Sequence, residues 1–152
     1  MNFIKKAFFL ILGLVIIFGS IFLFFQRQID LGSNAKIVKI NDTSIKVEIA
    51  DTVESRAQGL SERKILRDGT GMLFIFDSSG QYGFWMKDMN FSIDIVWISE
   101  SFEVIGIEHE VTPETFPTIF YPPGPVRYVL ELPAGFSRNR GIDIEQFISY
   151  QQ

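Results

Sequence analysis

The chain has 152 residues, six prolines, no cysteine and a formal net charge of −4. Without cysteine it cannot form disulfides, use a thiol nucleophile or bind a metal through thiolates. Residues 34–152 carry eleven Lys and Arg against seventeen Asp and Glu, a net charge of −6, so we expect no nucleic-acid partner.

An unbroken apolar run spans residues 7–25, and fifteen of its nineteen residues are Leu, Ile, Val or Phe. As a helix the run is about 29 Å long, close to the roughly 30 Å of hydrocarbon that a spanning helix crosses. Lys5 and Lys6 precede it and only Arg27 follows, which favours a cytoplasmic N-terminus. The sequence predicts a single-pass protein of the inner, cytoplasmic membrane with its C-terminal domain outside.

A cleaved signal peptide is the alternative for this segment. Such peptides have a shorter apolar region that ends in small residues, whereas this run ends Phe24-Phe25-Gln26-Arg27. We therefore expect residues 1–33 to form a cytoplasmic tip, an uncleaved transmembrane anchor and a short linker. Residues 34–152 are expected to form one exported β-rich domain, since about 119 residues is a common domain size.

Short β-rich segments alternate with turn signals along the exported part. Residues 36–40 and 44–49 predict a hairpin. Thr52 can cap a helix over residues 53–64. Glycine is unfavourable inside a helix, so Gly59 is either required by close packing or marks a break in the helix. Further strands are predicted over residues 72–76, 83–87, 93–99, 102–108 and 126–132, the first two as antiparallel neighbours.

Five of the six prolines lie in residues 111–125, which excludes a central strand there and indicates a long ordered loop. The expected fold class is mainly β (α+β). The domain should be a compact antiparallel barrel-like or sandwich structure with one short helix, preceded by the transmembrane helix.

Two carboxylates, Asp94 and Glu131, stand inside apolar strand segments. An unpaired buried charge costs several kcal/mol, so each needs a partner, and Arg56 and Lys87 are the natural candidates. We expect Arg56 to form a buried pair with at least one of the two carboxylates. Structural ion pairs, or outward-facing positions on a half-solvated sheet, are the alternative interpretation.

The functional interpretation gathers these four residues and one aromatic residue into a single binding pocket. Its predicted members are Arg56, Trp85, Lys87, Asp94 and Glu131. Trp85 is either a platform for a ligand or part of the core.

Five motifs occur in order along the exported part: Arg56-x-x-Gly59-Leu60, Gly71-Met72-Leu73-Phe74-x-Phe76, Phe84-Trp85-Met86-Lys87, Asp94-Ile95 and Tyr128-Val129-Leu130-Glu131-Leu132-x-Ala134-Gly135. This series resembles the domain of unknown function 192 family (DUF192) over residues 47–148. The resemblance implies a compact, largely β domain, often exported or anchored by one N-terminal segment, and no established reaction. The chain departs from the family pattern at Lys87-Asp88-Met89, at Ser92-Ile93-Asp94 and at Glu145-Gln146.

The residue inventory disfavours several enzyme classes. A Ser-His-Asp triad would have to use His109, the only histidine, and no Gly-x-Ser-x-Gly motif is present. Zinc is disfavoured by one histidine and no cysteine. Copper(I) held by Met72, Met86, Met89 and His109 is conceivable, but methionines in apolar strands usually fill the core. We therefore expect no metal or cofactor and assign no catalytic residue.

The sequence favours a membrane-anchored exported domain that binds a small ligand or associates with an envelope protein, rather than an enzyme. A hydrolase of envelope carbohydrate is the first alternative, with Asp94 and Glu131 as its carboxylate pair and Trp85 as a stacking platform. A protein-interaction scaffold is the second, using the aromatic residues among the prolines of residues 111–125.

Overall fold

The computed structural model describes residues 36–151, which form a mainly β structure. Its seven strands are β1 Lys36–Ile40, β2 Thr43–Ala50, β3 Thr70–Gly80, β4 Ile93–Ile98, β5 Val104–Val111, β6 Val126–Pro133 and β7 Ile148–Gln151. Two short helices, α1 Val53–Gln58 and α2 Phe136–Asn139, and a 3-10 turn at Pro113–Thr115 complete it. No helix in this part of the chain is long and apolar enough to cross a membrane. The predicted anchor and linker lie outside the described residues.

All seven strands belong to one sheet, in the order β5-β4-β6-β3-β2-β1-β7. Neighbours are antiparallel except β2 and β3, which run parallel because α1 connects them as a crossover. The chain before β7 returns to β5, where the Val104 N–H donates to the Gln146 carbonyl at 2.8 Å. The sheet is therefore curled into a half barrel. This confirms the mainly β prediction in its barrel-like form. The structure differs from the prediction in the parallel pair β2–β3, where all pairs were expected to be antiparallel, and in having two short helices in place of one.

The central strands are buried on both sides, so their side chains alternate between two cores. In β4, Val96 and Ile98 belong to one core and Ile95 and Trp97 to the other. We call the first side the α2 face, because Phe136 of α2 packs there. The second side is the α1 face, which is covered by Leu60 after α1 and by residues 82–91.

The helix α1 is shorter than predicted. Thr52 caps it as expected, since its hydroxyl accepts a hydrogen bond from the Ser55 N–H at 3.1 Å. The helix ends where Gly59 adopts φ +50°, a conformation that favours glycine. A Cβ atom at this position would also lie 3.3 Å from Cζ of Phe74. Gly59 therefore marks a break, and the prediction of a helix to residue 64 was wrong.

Residues 83–87 do not form the predicted strand beside β3. The two edges of β3 are already occupied by β2 and β6, so no edge remains for a further neighbour. Phe84 instead forms an isolated bridge with Phe120, through N–H to carbonyl hydrogen bonds of 2.9 and 2.8 Å. The bridge holds the proline-rich loop against residues 82–86.

Candidate functional site

A cavity of about 280 Å³ lies on the α1 face. It is formed by residues 56–61 at the end of α1, by side chains from β3 and β6, and by residues 82–85 with Met89. Most of its side chains are apolar, and five are aromatic: Phe74, Phe76, Tyr82, Phe84 and Trp85.

The aromatic rings hold one another in place. Phe76 and Tyr82 stack with centroids 3.6 Å apart and planes at 6°, while Phe74 and Phe84 meet edge to face at 4.9 Å. The Tyr82 hydroxyl donates to the Ser78 carbonyl at 2.8 Å, which fixes that ring beside the end of β3. The cavity wall is thus a set of rings packed against one another.

Glu131 of β6 is the buried acidic side chain of the cavity, with 6% of its surface exposed. Its strand neighbours are Ile95 of β4 and Met72 of β3, both apolar. Oε2 has no hydrogen-bond partner within the described part of the chain. Burial raises the pKa of Glu131 to about 8, although Arg63 acts to lower it. At neutral pH the carboxyl group is therefore mostly protonated.

The guanidinium of Arg63 does not satisfy Glu131, because it is already paired with Glu48. Its two terminal nitrogens donate to the two carboxylate oxygens of Glu48 at 2.5 and 2.7 Å. These bonds lower the pKa of Glu48 below its ordinary value. The bidentate pair leaves Glu131 with only a distant electrostatic influence from Arg63.

Arg56 lines the same cavity but does not pair with a buried carboxylate. Its Nη1 donates to the carbonyls of Asp51 at 2.6 Å and Ile75 at 2.8 Å, and its guanidinium lies 5.3 Å from the Phe76 ring centroid. Its only carboxylate neighbour in the described residues is the exposed Asp77, at 4.0 Å. The predicted buried pair with Asp94 or Glu131 was wrong, because Arg56 instead ties α1 to the end of β3 through backbone carbonyls.

Asp94 lies on the other side of the sheet from this cavity. In the β4–β6 register Ile95 is opposite Glu131 and Asp94 is opposite Leu132, so the two carboxylates point to opposite faces. The structure therefore does not bring them together. The predicted carboxylate pair of a carbohydrate hydrolase is wrong for this physical reason.

Four donors surround the carboxylate of Asp94, which is fully buried. Oδ1 accepts from the N–H groups of Glu110 at 2.8 Å and Gly135 at 3.0 Å, and Oδ2 accepts from the Ser137 N–H at 2.9 Å and its hydroxyl at 2.6 Å. Burial raises the pKa of Asp94, but the Ser137 hydroxyl and the three N–H donors outweigh it, so the pKa lies below its ordinary value. The carboxylate anchors α2 and β5 to β4.

Ser137 also contacts His109, with 3.0 Å between Oγ and Nδ1. Since its hydroxyl proton is directed to Asp94, the hydroxyl oxygen accepts from His109. The serine lies between the carboxylate and the imidazole, which is not the order of a catalytic triad, and it is fully buried. The contact is therefore structural.

Trp85 lines the cavity with 51% of its surface exposed. It meets Phe116 of the proline-rich loop edge to face at 5.8 Å, and the Lys87 ammonium lies 6.0 Å from its ring centroid. Lys87 is exposed and does not line the cavity. The structure thus brings together Arg56, Trp85 and Glu131 and leaves Lys87 and Asp94 outside. The scaffold role of residues 111–125 stays a prediction.

Most of the aromatic lining, and Met89, were not predicted as members of the site. Phe74 and Phe76 are two residues apart in a strand, as are Tyr82 and Phe84 in the following segment. This spacing places each pair on one face and was the available signal for an aromatic site. Within residues 36–151 no group of three or more His, Cys, Asp or Glu side chains could hold a metal ion.

Comparison with known proteins gives a family match and similar folds. The profile of the DUF192 family, described as "Uncharacterized ACR", matches residues 36–150, which confirms the resemblance seen in the motifs. A crystal structure from Sinorhizobium meliloti 1021, of a protein provisionally described as a transcription regulator, is 27% identical with a TM-score of 0.72, covering 76% of this chain and 92% of that one. A protein of unknown function from Novosphingobium aromaticivorans DSM 12444 is 26% identical with a TM-score of 0.70, covering 74% and 83%. No curated protein matches.

Proposed function

The chain belongs to the DUF192 family, whose function is unknown, and we propose that its β domain binds a small organic ligand in the cavity beside Glu131. The observation that carries this proposal is the unpartnered Oε2 of a buried glutamate in the wall of an aromatic-lined cavity. Leaving a buried polar atom unsatisfied costs about 1–3 kcal/mol, and a ligand that hydrogen-bonds to it recovers that cost on binding. The cavity volume is near the lower end of known ligand sites, roughly 300–1,000 Å³, which suits a small molecule.

Binding is favoured over catalysis because the cavity offers one buried carboxyl group without a second acid or base beside it. Asp94 is on the opposite face, and the Arg56 guanidinium is engaged by two backbone carbonyls. General acid–base chemistry on a sugar needs two carboxyl groups on either side of the scissile bond. The arrangement supports recognition through one hydrogen-bonding group and a surrounding apolar wall.

A methyl-labelled NMR screen of the full chain in maltoside micelles tests this proposal. Met89 lines the cavity, whereas Met86 is buried in the core and does not line it, so Met86 serves as an internal reference. We expect a binding compound to shift the Met89 methyl signal and to lose its effect in Ala57→Trp, which puts a bulky ring on a cavity-lining position. Compounds that shift Met89 equally in both proteins, or a broad library in which none shifts it, would contradict the proposal.

We also propose that residues 7–25 anchor the chain in the inner, cytoplasmic membrane, with the domain on the outer side. The support is the sequence alone: nineteen apolar residues preceded by Lys5 and Lys6. Mass spectrometry of fractionated cells should find the intact N-terminus in the membrane fraction. Recovery of a soluble form that begins after Phe25 would instead identify a cleaved signal peptide.

A further inference from the structure

The residues around Glu131 supply no cation to pair with its ionised form on the α1 face. A row of directly paired positions crosses the sheet there: Glu108 of β5, Ile95 of β4, Glu131 of β6, Met72 of β3 and Glu48 of β2. Three of these five side chains are carboxylic acids. The cation that reaches this row, Arg63, is held by both oxygens of Glu48. Ionised Glu131 therefore has no cation of its own among the described residues.

The other cations near the cavity are also engaged. Arg56 is bound to two carbonyls and has Asp77 beside it, and Lys87 lies outside the cavity near Trp85. Both of these cations lie over aromatic rings of the cavity lining: Arg56 is 5.3 Å from the Phe76 centroid and Lys87 is 6.0 Å from that of Trp85. Ring faces attract cations electrostatically, and the ring faces of the lining that these two cations leave open would attract the cation of a ligand.

We infer that the ligand of this cavity is a small organic cation, an alkyl- or methylammonium group whose charge pairs with Glu131 while its carbon atoms contact the aromatic rings. This inference rests on the proposed binding function and names the chemical class of the ligand. A cavity of about 280 Å³ accommodates a trimethylammonium group with a short chain. The cation supplies the charge that the row across the sheet lacks, and the rings replace its water shell.

Binding of a cation should release a proton from Glu131. In the free protein burial raises the pKa of this carboxyl to about 8, so near neutral pH the group carries a proton. Pairing with an ammonium group requires the carboxylate, and the proton then leaves to solvent. A neutral ligand with an acceptor group would behave in the opposite way, because it would need the protonated carboxyl as a donor.

Calorimetry on the full chain in maltoside micelles separates these cases. The probes are choline, tetramethylammonium and methylammonium, and the reference is 3,3-dimethyl-1-butanol, which has the shape of choline without its charge. We expect at least one cation to bind at least about tenfold more tightly than the reference, and its affinity to rise about tenfold per pH unit from pH 6 to 8 before levelling off. Buffers with different ionisation enthalpies should report release of about one proton at pH 6.

Glu131→Gln keeps the size of the side chain and removes its charge. This variant should lower the affinity for the cation by more than about tenfold and abolish the pH dependence. Asp77→Asn removes an exposed carboxylate near Arg56 and should leave both properties unchanged, which controls for a general loss of negative charge.

Four results would overturn the inference. Three concern a cation that binds: equal binding of the cations and the neutral reference, an affinity that falls as the pH rises, and cation binding that Glu131→Gln leaves intact. The fourth is failure of all three cations to bind. If the NMR screen then finds a different ligand at Met89, only the cation class is wrong, whereas an empty screen also removes the proposed binding function.

Discussion

Asp94 and Glu131 are both buried carboxylates on adjacent central strands, yet their surroundings differ completely. Asp94 accepts four hydrogen bonds on the α2 face, and its pKa is lowered. Glu131 has apolar strand neighbours, an unpartnered oxygen and a cavity beside it on the α1 face, and its pKa is raised to about 8. The first group holds the fold together, and the second is free to interact with something else.

This difference shows that burial of a charged residue does not by itself identify a functional site. A buried carboxylate with a full set of donors is stabilised as an ion, and its removal strongly lowers the free energy of unfolding. A buried carboxyl group without such donors is kept neutral, and its oxygens can still form hydrogen bonds that the fold itself does not make. The number of donors directed at each oxygen therefore separates the structural from the functional candidate in this domain.

Removing the carboxylate of Asp94 on the α2 face should have the largest effect on the free energy of unfolding. In Asp94→Asn the amide nitrogen cannot accept, so the donors at Oδ2 lose their partner, and hydrogen bonds to a charged group contribute about 1.5–3 kcal/mol each. We expect the free energy of unfolding to fall by about 3–5 kcal/mol at pH 7, as measured by urea denaturation. Glu131→Gln is the matched control and should not lower it by more than about 1 kcal/mol, since no hydrogen bond to the described residues is lost at Oε2 and the folded state no longer has to take up a proton at this position. Equal losses in the two variants would contradict the comparison.

The second-largest effect should appear in the pH dependence of the free energy of unfolding. Here the raised pKa of Glu131 and the lowered pKa of Asp94 should act in opposite directions. Glu131 has a pKa of about 8 in the folded domain and an ordinary value of 4.5. Between these values the folded state binds a proton that the unfolded state lacks, so stability falls as the pH rises, by at most about 1.4 kcal/mol per pH unit. Because its pKa is lowered, Asp94 stabilises the fold at pH values above the ordinary pKa of an aspartate. This contribution is lost as the pH falls through the folded-state pKa of Asp94.

Urea denaturation of the parent and Glu131→Gln at pH 6, 7 and 8 measures the Glu131 contribution. The parent should lose stability relative to the variant with each step upward in pH, because the variant has no proton to release at this position. Parallel curves for the two proteins would show that Glu131 titrates near its ordinary value and is not desolvated.

Local sequence patterns predicted much of the fold. The turn at Asn41 correctly predicted the β1–β2 hairpin, and apolar runs located β4, β5 and β6 to within a few residues. The errors concern partners that are distant in sequence. The position of Phe84 depends on which strands occupy the edges of β3, and β7 depends on a partner more than one hundred residues earlier. Hydrophobic periodicity carries no information about such pairings.

The candidate site could be predicted only in part for the same reason. The sequence showed that Asp94 and Glu131 interrupt apolar strands, but the face of each depends on the register between β4 and β6. A shift by one residue would have placed both carboxylates on one side. The partners of Arg56 could not be predicted either. Backbone carbonyls compete with carboxylates for a guanidinium, and every residue has one whatever its type.

The smallest effect is expected at Trp85, and the second tryptophan provides its control. Trp85 is 51% exposed, whereas Trp97 of β4 is fully buried beneath the same aromatic cluster, 5.5 Å from Phe84. Trp85→Ala should reduce the free energy of unfolding by less than about 1 kcal/mol, because its contact with Phe116 is a single edge-to-face pair at the surface. Trp97→Ala should cost about 3–5 kcal/mol, as for other buried aromatic residues.

If urea denaturation shows the larger loss for Trp85→Ala as well, the ring is part of the core and is excluded as a ligand platform. A small loss of stability combined with weaker ligand binding would place Trp85 with Glu131, among the residues that the fold leaves available for recognition.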